Sequence, residues 1–266
     1  MNCAGMTGAP DSGLPAIPNT VLGKVVIVLD AFTADDHWVG FTELVHRTGL
    51  NKTTLHRLLA ELVSTRLIDR SGSGYRLGRH LFELGMRASV ERGLIEVATP
   101  FLEDLYERTR ETVHLGVLEG DEVVYVAKIG GHRQAESPSR IGGRMPLYCT
   151  AIGKAMLAHS PGDLKARTLA GPLPRRTPRT ITSPGLLARQ LDTVVESGVA
   201  FEYEESAVGI VCVAAPILDA DDLPVAALSV TGPGTRFRPE LHANHVRAAA
   251  AGIAATLARR DNLRQD

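Results

Sequence analysis

Residues 49–78, GLNKTTLHRLLAELVSTRLIDRSGSGYRLG, determine the fold of the first part of this chain. Within them, leucine recurs at i, i+3, i+4 and i+7, the spacing that places apolar side chains on one stripe of a helix. The stripe consists of Leu55, Leu58, Leu59 and Leu62. The opposite face carries short or positively charged side chains, among them Lys52, His56 and Arg57. The stretch therefore predicts an amphipathic helix with one apolar and one cationic face.

Shorter patterns flank this helix on both sides. Residues 20–34 and 41–49 have helical spacing, with Thr42 as a candidate N-cap and Gly49 as a C-terminal stop. Residues 67–78 read as a strand, a Gly/Ser turn and a second strand. Helix, helix, tight turn, helix and hairpin is the order of a winged helix-turn-helix, whose second motif helix enters the DNA major groove.

The positive charge of the chain is local. The net charge of all 266 residues is only -1 at pH 7. Residues 46–80 nevertheless hold seven Lys and Arg against Glu61 and Asp69, a surplus of +5, whereas residues 94–266 hold 19 Lys and Arg against 21 Asp and Glu. Together with the order of elements, this predicts that the first part binds DNA and that the second part has a different partner.

The rest of the chain predicts a second domain of α+β type. Residues 79–93 read as a connecting helix whose apolar side is available to another subunit. From residue 94 onward, helical segments alternate with strands, including a hairpin that turns at Glu119-Gly120-Asp121 and two strongly apolar strands, IVCVAAPIL and PVAALSVTGP. A long helix from residue 239 closes the chain. This alternation favours a mainly antiparallel sheet packed with helices, and the 44% hydrophobic content suffices for two cores.

Composition excludes several classes of protein. Cys3, Cys149 and Cys212 are odd in number and form no CxxC pair, which argues against a disulfide framework and a structural zinc site. Residues 1–19 read as a flexible Gly/Pro-rich tail rather than a signal peptide. No apolar run approaches the roughly 20 residues of a membrane span. We therefore expect a cytoplasmic protein in a reducing compartment, with no membrane partner.

A ligand pocket is predicted at residues 140–158, RIGGRMPLYCTAIGKAMLA. Glycines before a helix let the backbone come close to a ligand, and a helix N-terminus offers N–H groups suited to a carboxylate. A small organic acid is therefore the expected ligand. Arg140 and Arg144 are candidates to pair with its negative charge.

An enzyme is the alternative class. Cys149 or Cys212 is the candidate nucleophile, with His114 or His132 as its base. Against this, Cys212 lies in an apolar strand, where cysteine is usually an inert small hydrophobe. His242 and His245 share a helical spacing, but the sequence shows no third metal ligand, and the glycines miss the phosphate-loop spacings. We therefore expect no catalysis, no cofactor and no metal.

Three segments in this order resemble the IclR family of bacterial transcription regulators. They are residues 49–78, residues 143–158 (GRMPLYCTAIGKAMLA) and residues 197–233 (SGVAFEYEESAVGIVCVAAPILDADDLPVAALSVTGP). The resemblance covers nearly all of residues 20–260. It implies a winged helix-turn-helix over residues 20–78, a linker helix over residues 79–93 and a GAF-like effector-binding domain over residues 94–266. It also implies a homodimer or a dimer of dimers on a double-stranded, inverted-repeat operator near a metabolic operon.

Individual roles on DNA follow from side-chain chemistry. The residues expected in the groove are Lys52, Thr53, Thr54, His56 and Arg57. Those expected near phosphates are Arg47, Arg70, Ser71 and Arg76. Arg57 is the best candidate to read a base, because a guanidinium bonds O6 and N7 of guanine together. The alternative for Arg57 is an ion pair with Glu61 at i+4.

The resemblance also implies where the effector binds. In the family, the ligand meets the chain at the positions that are here Ala151, Ile152, Glu202 and Cys212. Ile152 and Tyr203 are expected to narrow this pocket, so that an aromatic or branched acid fits as well as a two- or three-carbon acid. We therefore expect a regulator, with repression as its expected action. The sequence leaves open which acid it senses, which operon it governs, whether it is a dimer or a tetramer, and the sign of the coupling between ligand and DNA.

Overall fold

The structure is a computed structural model that describes residues 18–33, 35–87, 92–130 and 138–265. Predictions for residues 1–17, for residues 88–91 and for His132 lie outside the described residues. The chain divides into two compact units, Met1–Ser89 and Val90–Asp266, and the boundary between them falls in the sequence predicted as a linker.

The first unit is a winged helix-turn-helix. Its helices are α1 (Val21–Asp30), α2 (Phe41–Thr48), α3 (Lys52–Ser64) and α4 (Arg79–Gly85). Its strands are β1 (Val39–Gly40), β2 (Ile68–Ser71) and β3 (Gly74–Leu77), which form an antiparallel sheet in the order β1-β3-β2. The predicted hairpin is thus confirmed. Strand β1 was not predicted, because two residues are too few to show a period-2 pattern.

Local chemistry explains where these helices begin and end. Helix α2 stops at Gly49, which adopts the left-handed conformation at φ 64°, as predicted. The N-cap of α2 is Gly40 and not Thr42, because the helix starts directly after β1 and already includes Phe41. Helix α3 is capped by Asn51, whose side chain accepts a hydrogen bond of 2.8 Å from the backbone N–H of Thr54.

The leucine stripe of α3 forms the core of the first unit. All four leucines are buried, and they pack with Val28, Leu44, Ile68 and Tyr75. The helix predicted over residues 79–93 is interrupted, since α4 ends at Gly85 and a turn follows at residues 86–87. Glycine in a helix interior costs about 1 kcal/mol relative to alanine, which favours a stop at this position.

The second unit is α+β, as predicted. Its helices are α5 (Arg92–Thr109), α6 (Ala151–His159), α7 (Gly162–Ala170), α8 (Pro184–Ser197) and α9 (Ala243–Gln265). Its strands are β4 (Thr112–Glu119), β5 (Glu122–Ile129), β6 (Arg144–Pro146), β7 (Ala200–Tyr203), β8 (Ile210–Leu218) and β9 (Pro224–Pro233). They form one sheet in the order β6-β5-β4-β9-β8-β7, and every described pairing is antiparallel. The predicted turn at Gly120 joins β4 to β5, and a short 3-10 turn, Pro239–His242, precedes α9.

Helices cover both faces of this sheet. Helices α6 and α8 pack on one face, where the core includes Cys212 and Ala214 of β8. Helices α5 and α9 pack on the other face, against Val211 and Val213 of the same strand. Successive side chains of a strand point to opposite faces, so a strand covered on both sides is apolar throughout. This explains the continuous apolar run of β8. The same alternation places the Cys212 side chain on the face that packs against α6.

Candidate functional site

A small cavity lies in the second unit where the N-terminus of α6 meets the sheet. Strands β4, β5, β6, β7, β8 and β9 all contribute to its wall, together with the start of α6 and Ser206, which follows β7. Its apolar lining includes Tyr125, Met145, Ile152 and Ile210. The polar lining consists of His114, Ser139, Glu202, Ser206, Cys212, Ser229 and Thr231. The free volume inside the cavity is about 10 Å³, room for about one water molecule, so an organic ligand enters only if the lining side chains move.

His114 is an uncharged hydrogen-bonding group inside this cavity. Its Nε2 lies 2.7 Å from Oγ of Ser139, and its Nδ1 faces Oγ1 of Thr231 at 3.4 Å and Oγ of Ser229 at 3.5 Å. Burial lowers the pKa of His114 to about 3, and the nearby positive charge of Lys128 acts in the same direction. At neutral pH the imidazole therefore offers one donor and one acceptor.

Glu202 is a buried carboxyl group at the same cavity. Its Oε1 accepts hydrogen bonds from the backbone N–H of Ser206 at 3.0 Å and from the Ser206 hydroxyl. Its Oε2 faces the backbone N–H of Ala151, the first residue of α6, at 3.4 Å. Burial raises the pKa of Glu202, and the bonds from Ser206 oppose that rise. The helix N-terminus that was predicted for the ligand thus already faces a carboxyl group of the chain.

Four of the predicted effector residues line the cavity: Ala151, Ile152, Glu202 and Cys212. Three others lie elsewhere. Arg144 is paired with Glu122 at 3.4 Å, Arg140 is exposed, and the Tyr203 hydroxyl donates to Oε1 of Glu240 at 2.5 Å.

Strand alternation explains the position of Tyr203. Glu202 is paired with Cys212 on β8, so the next residue along β7 points to the opposite face of the sheet. The expectation that Tyr203 narrows the pocket therefore does not hold. The same alternation could have revealed residues that sequence reasoning missed, because Ser229 and Thr231 interrupt an apolar strand at i and i+2.

A buried ion pair lies next to the start of α6. Lys154 is only 1% exposed, and its Nζ donates to Oε1 of Glu205 at 2.6 Å and to Oε1 of Gln190 at 3.0 Å. Lys154 follows Ala151 by three residues on the same helix, and Glu205 belongs to the segment that connects Glu202 to Ser206. The pair connects the first turn of α6 to this segment and has no net charge when both partners are ionised.

In the first unit, α3 presents the predicted cationic face. Lys52, Thr53, His56 and Arg57 are exposed, while Thr54 is half-buried. Within the described residues, Arg57 forms no ion pair with Glu61 or with any other side chain. Its guanidinium is therefore available to a partner outside the chain.

The arginines predicted near phosphates differ in their surroundings. Arg47 is bound at 2.6 Å by Asp36, at 2.8 Å by Glu43 and at 3.0 Å by the carbonyl of Ala31, so its prediction as a phosphate ligand is not supported. Its positive charge is already balanced by two carboxylates.

The remaining candidates lie on the hairpin. Arg76 pairs with Asp69 at 3.0 Å and stacks over Trp38 at 4.6 Å. Arg70 and Ser71 are exposed on β2, where Arg70 also stands over the ring of Tyr75.

Both units match known protein families. Residues 86–255 match the bacterial transcriptional regulator IclR C-terminal domain, and residues 21–72 match the IclR helix-turn-helix domain. The chain belongs to the IclR family of bacterial transcriptional regulators. It is therefore a DNA-binding regulator of helix-turn-helix type.

Relatives of this IclR-family regulator include the transcriptional regulator KdgR of Escherichia coli, 38% identical over 82% of this chain and 83% of the relative. The transcriptional repressor IclR of Escherichia coli is 31% identical over 75% of this chain and 74% of the relative. Among solved structures, an IclR homologue from Microbacterium hydrocarbonoxydans, complexed with 4-hydroxybenzoate, covers 91% of this chain and 100% of its own at a TM-score of 0.84 and 31% identity. IclR of Thermotoga maritima covers 89% of this chain and 98% of its own, at a TM-score of 0.75 and 30% identity.

Burial determines the protonation of the two described cysteines. Burial raises the pKa of the Cys149 thiol to about 12 and that of Cys212 well above its usual range. Both thiols are therefore protonated at neutral pH, whereas a cysteine nucleophile must be a thiolate. Within the described residues, no group of three His, Cys, Asp or Glu side chains is arranged to hold a metal ion. No described helix combines the length and apolarity needed to cross a membrane.

Proposed function

We propose that this IclR-family regulator is a repressor of a metabolic operon and that a small carboxylate, bound in the cavity beside α6, controls its affinity for DNA. The observation that carries the proposal is the set of buried polar groups that converge on this cavity, from His114 on β4, Glu202 on β7, and Ser229 and Thr231 on β9. An apolar wall with a few convergent polar groups is typical of small-molecule sites. The Microbacterium relative was crystallised with a carboxylate, 4-hydroxybenzoate, which supports this class of ligand.

On DNA, we infer that α3 enters the major groove and that the hairpin of β2 and β3 contacts the backbone. Arg57 is exposed and has no ion pair within the part of the chain that the structure describes, which supports a base-reading role, because bidentate bonding to guanine discriminates by about 1–3 kcal/mol. Lys52 and Arg70 supply salt-dependent affinity through phosphate contacts. Arg47 is not included, since Asp36 and Glu43 occupy its guanidinium.

We also propose that two copies bind an inverted-repeat operator, as a homodimer or a dimer of dimers. The first unit leaves apolar side chains in solvent on α1, where Leu22 is 72% exposed, and on α4, where Phe82 is 69% exposed. Exposed apolar patches of this kind mark interaction surfaces. A two-fold dimer presents its two recognition helices to two inverted half-sites.

The proposal is tested with the full chain and two measurements. A thermal-shift panel of acetate, propanoate, isobutyrate, benzoate and 4-hydroxybenzoate, each beside its neutral amide, should contain an acid that raises the melting temperature more than its amide. Operator fragments selected from random duplexes should then be released from the protein by that acid, since a ligand shifts DNA affinity only when it binds the two arrangements unequally. An absence of any acid-specific shift would argue against the carboxylate effector. Tighter DNA binding with the acid would argue against simple repression relieved by its ligand.

A further inference from the structure

The described lining of the cavity combines a buried carboxyl group with no lysine or arginine side chain. Among the described residues that line it, the titratable side chains are His114, Tyr125, Glu202 and Cys212, and none of them is a lysine or arginine. The two arginines predicted to pair with an anion lie elsewhere. A carboxylate effector therefore enters a space that holds Glu202 but no cationic side chain in the described lining.

The nearest buried cation does not change this balance. Lys154 attracts Glu202 electrostatically, but it donates its shortest bond, 2.6 Å, to Glu205 and a second bond to Gln190. Because Lys154 and Glu205 neutralise each other, an ionised Glu202 leaves the cluster with a net charge of -1. A bound carboxylate would then make it -2 in a water-poor interior, where like charges repel strongly.

Four further titratable groups around Glu202 are uncharged at neutral pH. Burial raises the pKa of the Tyr125 phenol on β5, of the Cys149 thiol before α6 and of the Cys212 thiol on β8. Burial lowers the pKa of His114 on β4 to about 3. None of these four groups supplies a charge that offsets a second carboxylate at neutral pH. Two nearby cations, Lys128 beside His114 and Arg176 beside Cys149, are not part of the described cavity lining.

Two carboxyl groups that share a buried site do not both ionise, and the usual result is that they hold one proton between them. On the basis of the function proposed above, we propose that Glu202 is protonated when a carboxylate effector is bound and that its O–H donates to the effector. The proton comes from solvent. The Glu202 carboxylate takes it up and becomes a neutral acid, which is hydrogen-bonded to the bound effector anion. Glu202 thereby selects a carboxylate even though the described lining of the cavity holds no cationic side chain.

The hydrogen bonds around Glu202 indicate which oxygen carries this proton. Oε1 already accepts both the N–H and the hydroxyl of Ser206, whereas Oε2 has a long contact of 3.4 Å with the N–H of Ala151; the Cys212 thiol also interacts with this carboxyl group. The proton therefore belongs on Oε2. A neutral acid is a weaker acceptor than a carboxylate, so protonation also leaves the N–H at the start of α6 available to the effector.

This proposal gives effector binding a definite pH dependence. The bound anion raises the pKa of Glu202 further, so binding takes up a proton at every pH between the pKa of the free protein and that of the complex. In that window the affinity falls as the pH rises, by at most about tenfold per pH unit. An ordinary carboxylic acid has a pKa of about 4 to 5 and is almost fully ionised above about pH 6.5, so from there upward the effector itself does not cause the change.

The test compares full-length wild type with Glu202→Gln, whose amide resembles the protonated acid. The probe is the acid of the thermal-shift panel that gives the largest shift when the panel is run from pH 5 to pH 9. Titration calorimetry in two buffers of different ionisation enthalpy measures proton uptake, and infrared difference spectra detect a protonated carboxyl in the complex. For the wild type we expect uptake approaching one proton, weakening by up to about tenfold per pH unit, and a protonated-carboxyl band.

In Glu202→Gln we expect the band and the proton uptake to disappear, with an affinity that stays constant within about twofold over the same pH range. Glu103→Gln, at an exposed position on α5, serves as the matched control and should behave as wild type. An ionised Glu202 in the wild-type complex, or undiminished uptake in Glu202→Gln, overturns the proposal and leaves the carboxylate effector standing. If no acid binds either protein at any pH, the carboxylate effector itself fails. If the variant does not fold, the presence or absence of the protonated-carboxyl band in the wild-type complex still tests whether Glu202 is protonated.

Discussion

Individual residues of the same type have different surroundings in this protein. Arg47 and Arg57 both lie on exposed helical surfaces of the first unit. Arg47 is bound by Asp36, Glu43 and the carbonyl of Ala31, while Arg57 has no ion pair within the described residues. Only a guanidinium that is not already satisfied can add a bidentate contact to a base without first breaking its own.

The first prediction concerns base reading. Arg57→Ala should weaken binding to a selected operator by about 1–3 kcal/mol and weaken binding to random DNA much less, because the lost contact is to a base edge. Fluorescence anisotropy at one fixed salt concentration measures both affinities. Arg47→Ala is the matched control and should leave the ratio of the two affinities nearly unchanged. Equal losses on both DNAs in Arg57→Ala would contradict a base-reading role.

A second prediction concerns acid stability. The hydrogen bond from Arg47 is the largest cause that lowers the pKa of Asp36 to about 2. Because this folded-state pKa lies below the unfolded value of about 3.9, the stabilisation is complete above that value and is lost as the pH falls toward 2. Asp36→Asn should therefore flatten the decrease in unfolding free energy between pH 4 and pH 2. Urea unfolding of the full chain, followed by the fluorescence of Trp38 in the first unit, measures this.

The contribution of Asp36 is small in absolute terms, because this carboxylate is near the surface and solvent screens it. The comparison is therefore between slopes in wild type and variant. An acid slope that is the same in both proteins would show that the Asp36–Arg47 pair does not couple folding to protonation.

At the scale of elements, the position of α6 depends on one glycine. A Cβ at Gly153 would lie 2.5 Å from Cα of Leu147 and still closer to the Leu147 carbonyl oxygen. The first turn therefore packs directly on the backbone that precedes it, where Thr150 caps the helix by accepting from the N–H of Gly153 at 3.1 Å. This close approach places Ala151 and Ile152 at the cavity.

Gly153→Ala should accordingly destabilise the second unit by about 1–3 kcal/mol, the usual cost of overpacking, despite the better helix propensity of alanine. It should also reduce the melting-temperature response to the acid identified in the panel. Gly185→Ala in α8 is the matched control, because a Cβ there meets no atom within 4 Å. If the Gly153→Ala protein were as stable as wild type, the loop before α6 would have moved to accommodate the Cβ at little energetic cost.

At the scale of the whole molecule, the exposed apolar surface of the first unit sets the expected assembly. Phe82→Glu places a charge in the proposed contact between two copies and should shift association to higher protein concentration. Operator affinity should fall with it, because one copy contacts only one half-site. Sedimentation velocity and anisotropy measure the two effects. Leu223→Glu, at an exposed apolar position of the second unit, is the control. Unchanged association in Phe82→Glu would place the dimer contact elsewhere.

The sequence by itself determined the winged helix-turn-helix, the antiparallel α+β second unit and the location of the cavity near α6. These features follow from local patterns: the leucine spacing of α3, the left-handed stop at Gly49, the Gly/Ser turn of the hairpin and the turn at Gly120. Each pattern acts within a few residues, so its physical meaning can be read along the chain. Family resemblance then placed Ala151, Ile152, Glu202 and Cys212 at the cavity, and the structure brings those four together.

Only the tertiary structure decided which polar groups share a space. His114 meets Thr231 because β4 pairs with β9, and Tyr203 faces away from the cavity because β7 pairs with β8 in one register. Arg47 is neutralised by Asp36, eleven residues away, across a turn that no periodicity describes. Register and long-range packing bring together residues that are distant in sequence, and the resulting burial lowers the pKa of His114 and raises that of Glu202.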